Sequence, residues 1–439
     1  MSPLMIGIIC IALFMVLLFI GVPVCYNMLI VGFIGVWWII DFKSAIQVLG
    51  SDIYNSFSSY TMSVVPLFGL MGFLANYSGL GARLFDTANK FVGHISGGLA
   101  IATNVACAVF GAICGSIPAT IATMGSIAYP EMKKHNYHDS LSCGIIAAGS
   151  SLSILIPPSV TLIIYGIATE TSVGALFAGG IGPGVVLCLF YGIAIVINVK
   201  RKPSLAEKSE KASWKERGNA LVKGGVIQVV VVFVLSIGGL FFGWFTPTEA
   251  GAVGAILMLL VCLIERNISF KQFLQSVGDS VKLSAMVMLL IAGATVFGRL
   301  FALSRMPNKL GDLVNAIDAP EWVVMAIIIL IYFFLGIIID EFSAVLITIP
   351  IFFPIVTQTL GYNPVWFCVM MVMMLSIGGL SPPVGMNVFY TKGVIKEARL
   401  NDMWWGVLPF LICQVALAFL LVFIPEICTA IPSMMGLGM

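Results

Sequence analysis

ILIPPSV at residues 154–160 and LSPPVGMNVFY at residues 380–390 decide how this chain is read. Leu155, Pro157, Pro158 and Tyr165 recur as Leu380, Pro382, Pro383 and Tyr390, each pair 225 positions apart. Both copies lie in strongly apolar sequence. A proline pair there removes backbone donors and frees carbonyls at bilayer depth, which is tolerated only where protein or a water-filled cavity satisfies them. Two such breaks at matching places in two halves point to a transporter's binding site.

Composition sets the class. The chain has 439 residues, of which 60% are hydrophobic and 10% charged, and its mean hydropathy is +1.07. A soluble domain carries far more charge, and long apolar runs mean membrane spans. The net charge of +2 does not suggest nucleic acid. The ten cysteines are scattered without a CxxC and read as apolar packing residues. His94, His135 and His138 lack ligand spacing. There is no HExxH, GxSxG or phosphate loop, so the chain is read as a non-enzyme driven by an ion gradient or another chain. The first apolar run lacks a basic flank and continues into a second, so it reads as a retained span.

The expected fold is an all-α polytopic membrane protein of two inverted repeats. Residues 1–199 form the first repeat, 200–223 a basic cytoplasmic linker and 224–439 the second. In the first, apolar runs fall at 4–20, 23–40 and 61–78, with an amphipathic interfacial segment at 41–60. A re-entrant hairpin covers 94–130 with its tip near 115–119, because one helix of that length overshoots about 30 Å of hydrocarbon. A span over 140–169 is broken at Pro157–Pro158, and another covers 173–199. In the second repeat, spans fall at 224–244, 250–264 and 282–301. An apolar stretch at 322–360 is interrupted at Asp340, Glu341 and Ser343. A broken span covers 364–395 and a last one 403–425. Thr246-Pro247-Thr248-Glu249 has the look of a helix start.

Sliding 111–165 by 225 without gaps matches Gly111 with Gly336, Ala119 with Ala344, Thr123 with Thr348, Cys143 with Cys368 and Ser151 with Ser376. An odd number of crossings per half makes the halves inverted. With 200–223 in the cytoplasm, Arg83, Lys90, Lys133, Lys134, Arg266, Lys271, Lys396 and Arg399 fall inside, as the positive-inside rule asks. Asp41, Lys43, Asp52 and Glu170 fall outside. So do Arg299, Arg305 and Lys309, close to Asp312, Asp318 and Glu321. Both termini come out periplasmic. Arg299 could attract an anion there, but pairing with a neighbouring acidic residue is the favoured reading.

The chemistry is expected at the tips. Gly115, Ser116 and Thr120 offer small residues, hydroxyls and free carbonyls, the hard oxygen ligands of a sodium ion; plain packing through Gly111 and Gly115 is the bland alternative. Asp340 and Glu341 are intramembrane carboxylates, functional by default. Asp340 aligns with Gly115 and is the stronger cation candidate, with Ser343, Ser381 and Gly385 beside it. Ser159, Thr161 and Asn387 lie next to the proline pairs and suit a polar substrate group, although Asn387 equally suits a cross-helix hydrogen bond.

Taken together, GAICGSIPATIATMG (111–125), ILIPPSV (154–160), FTPTEAGAVGA (245–255), GIIIDEFSAVLITIPIFFPI (336–355) and SPPVGMNVF (381–389) resemble the large membrane subunit of a TRAP transporter, the DctM-like group, across essentially the whole chain. The resemblance implies a small four-helix membrane subunit (DctQ-like) and a periplasmic substrate-binding protein (DctP-like) as partners, with the small subunit unfused. It implies sodium-coupled uptake of a small organic anion across the bacterial inner membrane: a C4-dicarboxylate, sialic acid or sugar acid. It further implies an elevator mechanism, with scaffold spans at 1–90 and 224–301 and transport parts at 91–170 and 322–395. By the same resemblance Ser116, Thr120, Asp340 and the proline-pair segments map to the ion and substrate region. Pro118 departs from the usual small-residue tip. The competing reading is a stand-alone ion-coupled anion carrier without a binding protein.

Overall fold

Most helices form where apolar sequence runs, and several of them begin at a local side-chain cap. The structure is a computed structural model that describes every residue except 208–210, 317–319 and 438–439; Lys208 and Asp318 therefore lie outside the described residues. The first half begins with the hairpin of α1 (Pro3–Phe19) and α2 (Val24–Ile39). Asp41 caps α3 (Phe42–Ser58) by accepting from Ser44 N, and Ser44 holds the Asp41 carboxyl below its ordinary range. After a 50° bend the chain enters α4 (Val64–Tyr77), then α5 (Leu80–Val92). The re-entrant pair α6 (Gly98–Cys114) and α7 (Ile117–Lys134) follows. The broken span is α8 (Asp139–Gly149) and α9 (Val160–Thr169), and α10 (Val173–Arg201) closes the half.

In the linker, α11 (Trp214–Lys223) carries a Ser213/Glu216 capping box. Beyond it come α12 (Val226–Phe233) and α13 (Gly239–Phe241), separated by a π-turn. The expected start at Thr246 is real: Thr246 and Glu249 form a capping box on α14 (Pro247–Glu265). Then follow α15 (Phe270–Ser304), α16 (Met306–Ala316), α17 (Glu321–Ile338) and α18 (Glu341–Pro354). The second broken span is α19 (Pro364–Leu380) and α20 (Met386–Val394), followed by α21 (Leu400–Phe423) and α22 (Glu426–Met434). Among the described residues six helices are long and apolar enough to cross a membrane, or eight with two bent pairs.

The repeat is visible in the contacts. Thr123 Oγ1 donates to Ala119 O, and its counterpart Thr348 Oγ1 donates to Ala344 O. A Cβ on Gly111 would meet Ser153 Cα at 2.8 Å, and one on Gly378, the counterpart of Ser153, would meet Gly336 Cα at 2.7 Å. Both proline pairs carry a cis peptide bond, at Pro157–Pro158 and Pro382–Pro383. The two halves interlock: α7 packs on α20, and its counterpart α18 packs on α9.

A second group of helices pairs across the halves, α2, α3 and α4 against α15, and α4 against α14. Charged residues traced to one side meet at one end. Arg83 pairs with Glu265 at 2.7 Å, and Arg217 Nε donates to Lys90 O. At the other end Arg299 pairs with Asp52 at 3.0 Å. Arg299 therefore finds an acidic partner, Asp52 of α3, rather than the described neighbours Asp312 and Glu321; Asp318 lies outside the described residues.

Several boundaries differ from the sequence expectation. The span expected at 282–301 belongs to α15, a helix of 35 residues, about 52 Å at 1.5 Å per residue. Hydropathy sees only its apolar part; a Ser269/Gln272 capping box starts it earlier. The break around Pro157 begins sooner, in a 3-10 turn at Ser150–Ile154. There Ser150, Ser151 and Ser153 hydroxyls donate to Ile146, Ala148 and Ser150 carbonyls, tightening the backbone ahead of the prolines. The last span runs over Leu400–Phe423, not 403–425, and α22 follows it. The span at 173–199 extends to Arg201.

Candidate functional site

The first tip reverses at two residues. Gly115 sits at φ +62, and a Cβ there would strike the Pro158 carbonyl. Gly115 O accepts from Val160 N at 3.3 Å, which fastens the tip to the broken span. Ser116, extended, precedes α7 without a side-chain cap, and Thr120 Oγ1 donates to Ser116 O at 2.9 Å. In the break, Ser159 Oγ caps α9 by accepting from Leu162 N at 3.2 Å. Thr161 Oγ1 is buried without a hydrogen-bond partner.

The second tip turns at Ile339 and Asp340. Asp340 Oδ1 accepts from Ser343 N at 3.0 Å and so caps α18, as an N-cap carboxylate does. Glu341 follows, with Oε1 buried and unpartnered. In the facing break Ser381 Oγ donates to Ile377 O at 2.7 Å. Gly385, at φ +55, precedes α20 with no side-chain cap. Asn387 is 3% exposed, and its Nδ2 has no partner.

Between these elements lies a cavity of about 780 Å³. One wall is the α1–α2 turn at Gly21–Val24 with Met286 and Leu290 of α15; the other is Pro118 of tip one, residues 338–343 of tip two, and Gly379, Asn387 and Tyr390 of the second break. Among the described residues, no Lys, Arg or His lines it, and its carboxylates are Asp340 and Glu341. A second cavity, about 440 Å³, is lined by Asp52, Asn55, Ser56 and Glu170 with Thr295 and Gly298 of α15 and Leu346, Ile349 and Pro350 of α18. Both cavities use α15 and α18: Leu290 and Ser343 face the larger, Ile291 and Leu346 the smaller. The two helices pack against each other.

The structure thus brings Asp340, Ser343 and Asn387 to one cavity. Gly115, Ser116, Thr120, Ser159, Thr161, Ser381 and Gly385 are not among the residues lining either cavity. The halves also differ in exposure. Pro157 and Pro158 are buried, whereas Pro382 and Pro383 are exposed. Tyr165 is fully buried against the Tyr332 hydroxyl, whereas its counterpart Tyr390 faces the cavity. One residue escaped sequence reasoning altogether. Gln414 Nε2, from α21, donates to Ser151 Oγ at 2.8 Å and to Ser376 Oγ at 2.9 Å. It bridges the two repeat-related serines, and Ser376 lines the large cavity. A lone amide in an apolar helix was the available signal.

Residues 11–427 match the family model described as "Tripartite ATP-independent periplasmic transporter, DctM component". The chain is 34% identical over 397 residues to the C4-dicarboxylate TRAP transporter large permease protein DctM of Pseudomonas aeruginosa, covering 90% of this chain and 91% of that one. It is 31% identical over 424 residues to the sialic acid TRAP transporter large permease protein SiaM of Vibrio cholerae, covering 96% and 97%. Among solved structures it resembles the Alcanivorax borkumensis YdaH transporter with a TM-score of 0.60 at 13% identity, over 87% of this chain and 89% of that one, a likeness of fold.

Proposed function

The chain belongs to the DctM component family of tripartite ATP-independent periplasmic transporters, and from that premise we propose that it carries an organic acid, delivered by a periplasmic binding protein, across the bacterial inner membrane with sodium. A small four-helix membrane subunit completes the assembly. The observation that carries this reading is the large cavity, which lies where two groups of helices meet. On one side are the α1–α2 turn and α15, on the other both tips and the second break.

In this reading α6–α9 and α17–α20 form a transport unit that slides against a scaffold of α1–α5 and α12–α15. The interlock of α7 with α20 and of α18 with α9 supports a unit that moves as one body. Sodium binds at the tips, where Asp340 supplies a negative charge and the reversal at Gly115–Ser116 supplies carbonyl oxygens. Cargo sits in the large cavity against Asn387 and Ser343. By the charge tracing, that cavity opens on the cytoplasmic side, with both chain termini periplasmic. The α15–α18 contact then closes the path to the smaller, outer cavity. Uptake into proteoliposomes holding the full assembly tests the reading. Uptake that needs both a sodium gradient and the binding protein is the expected result. Uptake without the binding protein would instead establish a stand-alone carrier, and indifference to sodium would remove the coupling.

A further inference from the structure

The large cavity holds one acceptor and one donor that ion binding leaves unused. Glu341 Oε1 and Asn387 Nδ2 are both buried without a hydrogen-bond partner, and both residues line the cavity. Asn387 is 97% shielded from solvent, being 3% exposed. Orphaned buried groups of this kind are costly unless a ligand completes them. Asp340 is already engaged as the cap of α18 and is assigned to the ion. Glu341 is not engaged. Among the described residues no lysine, arginine or histidine is in the lining, so none of them neutralises a second negative charge on a cargo. A dicarboxylate would set its far carboxylate against Glu341. An ammonium or amidinium group would instead complete the Glu341 carboxylate with a charge-assisted hydrogen bond. The opposite pole is also present. The helix α20 begins at Met386 with no side-chain cap, and Val388 N donates to Gly385 O, so the Met386 and Asn387 N–H groups and Asn387 Nδ2 are the ones open to an anion, and both residues line the cavity.

We propose that Glu341 selects the cargo: it receives a cationic or multiply N–H-donating group, while Asn387 and the first turn of α20 receive a carboxylate, so the cargo is a zwitterionic organic acid and not a dicarboxylate. This rests on the transport reading above.

The test is binding to the full chain in lipid nanodiscs in sodium chloride, read as protection against thermal unfolding. The probes are 5-aminovalerate as a zwitterion, succinate as a dicarboxylate and gluconate as a polyhydroxy monoanion. Wild-type protein should be protected by 5-aminovalerate at the lowest concentration. In Glu341→Gln the affinity ratio of 5-aminovalerate to succinate should fall by roughly tenfold or more, the scale of one partly screened charge contact. Asn387→Leu should weaken both probes alike. The wild-type ranking and Asn387→Leu keep the proposal exposed if Glu341→Gln does not fold. Succinate or gluconate binding more tightly than 5-aminovalerate to wild type overturns the proposal and leaves transport standing. An unchanged affinity ratio in Glu341→Gln overturns it as well, and a shifted sodium requirement with that unchanged ratio would make Glu341 an ion ligand. Protection by no organic acid at all overturns both readings.

Discussion

Gln414 offers the sharpest energetic test, because its two bonds and its one unpaired atom act in opposite directions. The side chain is fully buried, and Nε2 donates to Ser151 and Ser376 while Oε1 has no partner. Interhelical hydrogen bonds within a bilayer are worth roughly 0.6 kcal/mol each, up to about 1.7. Gln414→Leu therefore loses about 1–3 kcal/mol of bonding. It also removes the orphaned Oε1, whose burial costs about 1–3 kcal/mol, so the net change should be small, within about 1 kcal/mol. Ser376→Ala does the reverse. It strands one Nε2 hydrogen in the core and leaves Oε1 unpaired, so it should destabilise by about 1–3 kcal/mol. The double variant Ser376→Ala with Gln414→Leu should then be more stable than Ser376→Ala alone, because no stranded amide remains. Reversible unfolding in mixed detergent–SDS micelles measures all three. Effects that add within about 0.5 kcal/mol would refute the bridge as an energetic unit.

Asp340→Ala should abolish sodium-driven uptake while the protein still inserts and folds, and normal uptake by this variant would remove Asp340 from the ion site. Gly115→Ala should destabilise by at least about 1–2 kcal/mol, because Gly115 lies at φ +62 against the Pro158 carbonyl; an unfolding midpoint equal to wild type would show that the tip is not held as described. Arg299→Leu should cost about 1–2 kcal/mol, since the Asp52 side chain is only 4% exposed while Arg299, at 52%, is partly screened, and Asp52→Asn, which keeps a hydrogen-bonding partner, should cost less in the same unfolding assay. A cysteine placed at exposed Lys215 should react with an impermeant maleimide only from the cytoplasmic side, and labelling from the periplasm would reverse the orientation.

Much of this architecture is legible along the chain because its determinants are local. Proline removes a backbone donor wherever it stands, so the 157–158 and 382–383 pairs announce broken helices without any tertiary knowledge. Gly115 and Asp340 mark reversals because a left-handed turn and an N-cap are properties of a few consecutive residues. The Thr246/Glu249 box started α14 where expected for the same reason. Boundaries failed where polar residues join apolar ones in a single helix, as in α15, since hydropathy averages away a capped amphipathic turn. The 3-10 turn at Ser150–Ile154 was missed because it comes from serine hydroxyls returning to their own backbone, and no apolar pattern records that.

By itself, the sequence determined the membrane class, the offset of 225 that relates the halves, and the two tips and two breaks. These follow from transfer free energies and backbone chemistry summed over short windows. Only the tertiary structure decided what those features face. It buried Pro157, Pro158 and Tyr165 while opening Pro382, Pro383 and Tyr390, although the two motifs read alike. It made the α1–α2 turn and α15 a wall of the cavity, joined Asp52 to Arg299, and placed Gln414 between Ser151 and Ser376. Each of these depends on which surfaces lie against one another after folding. A repeated motif specifies its own backbone, whereas its exposure is specified by whatever packs upon it.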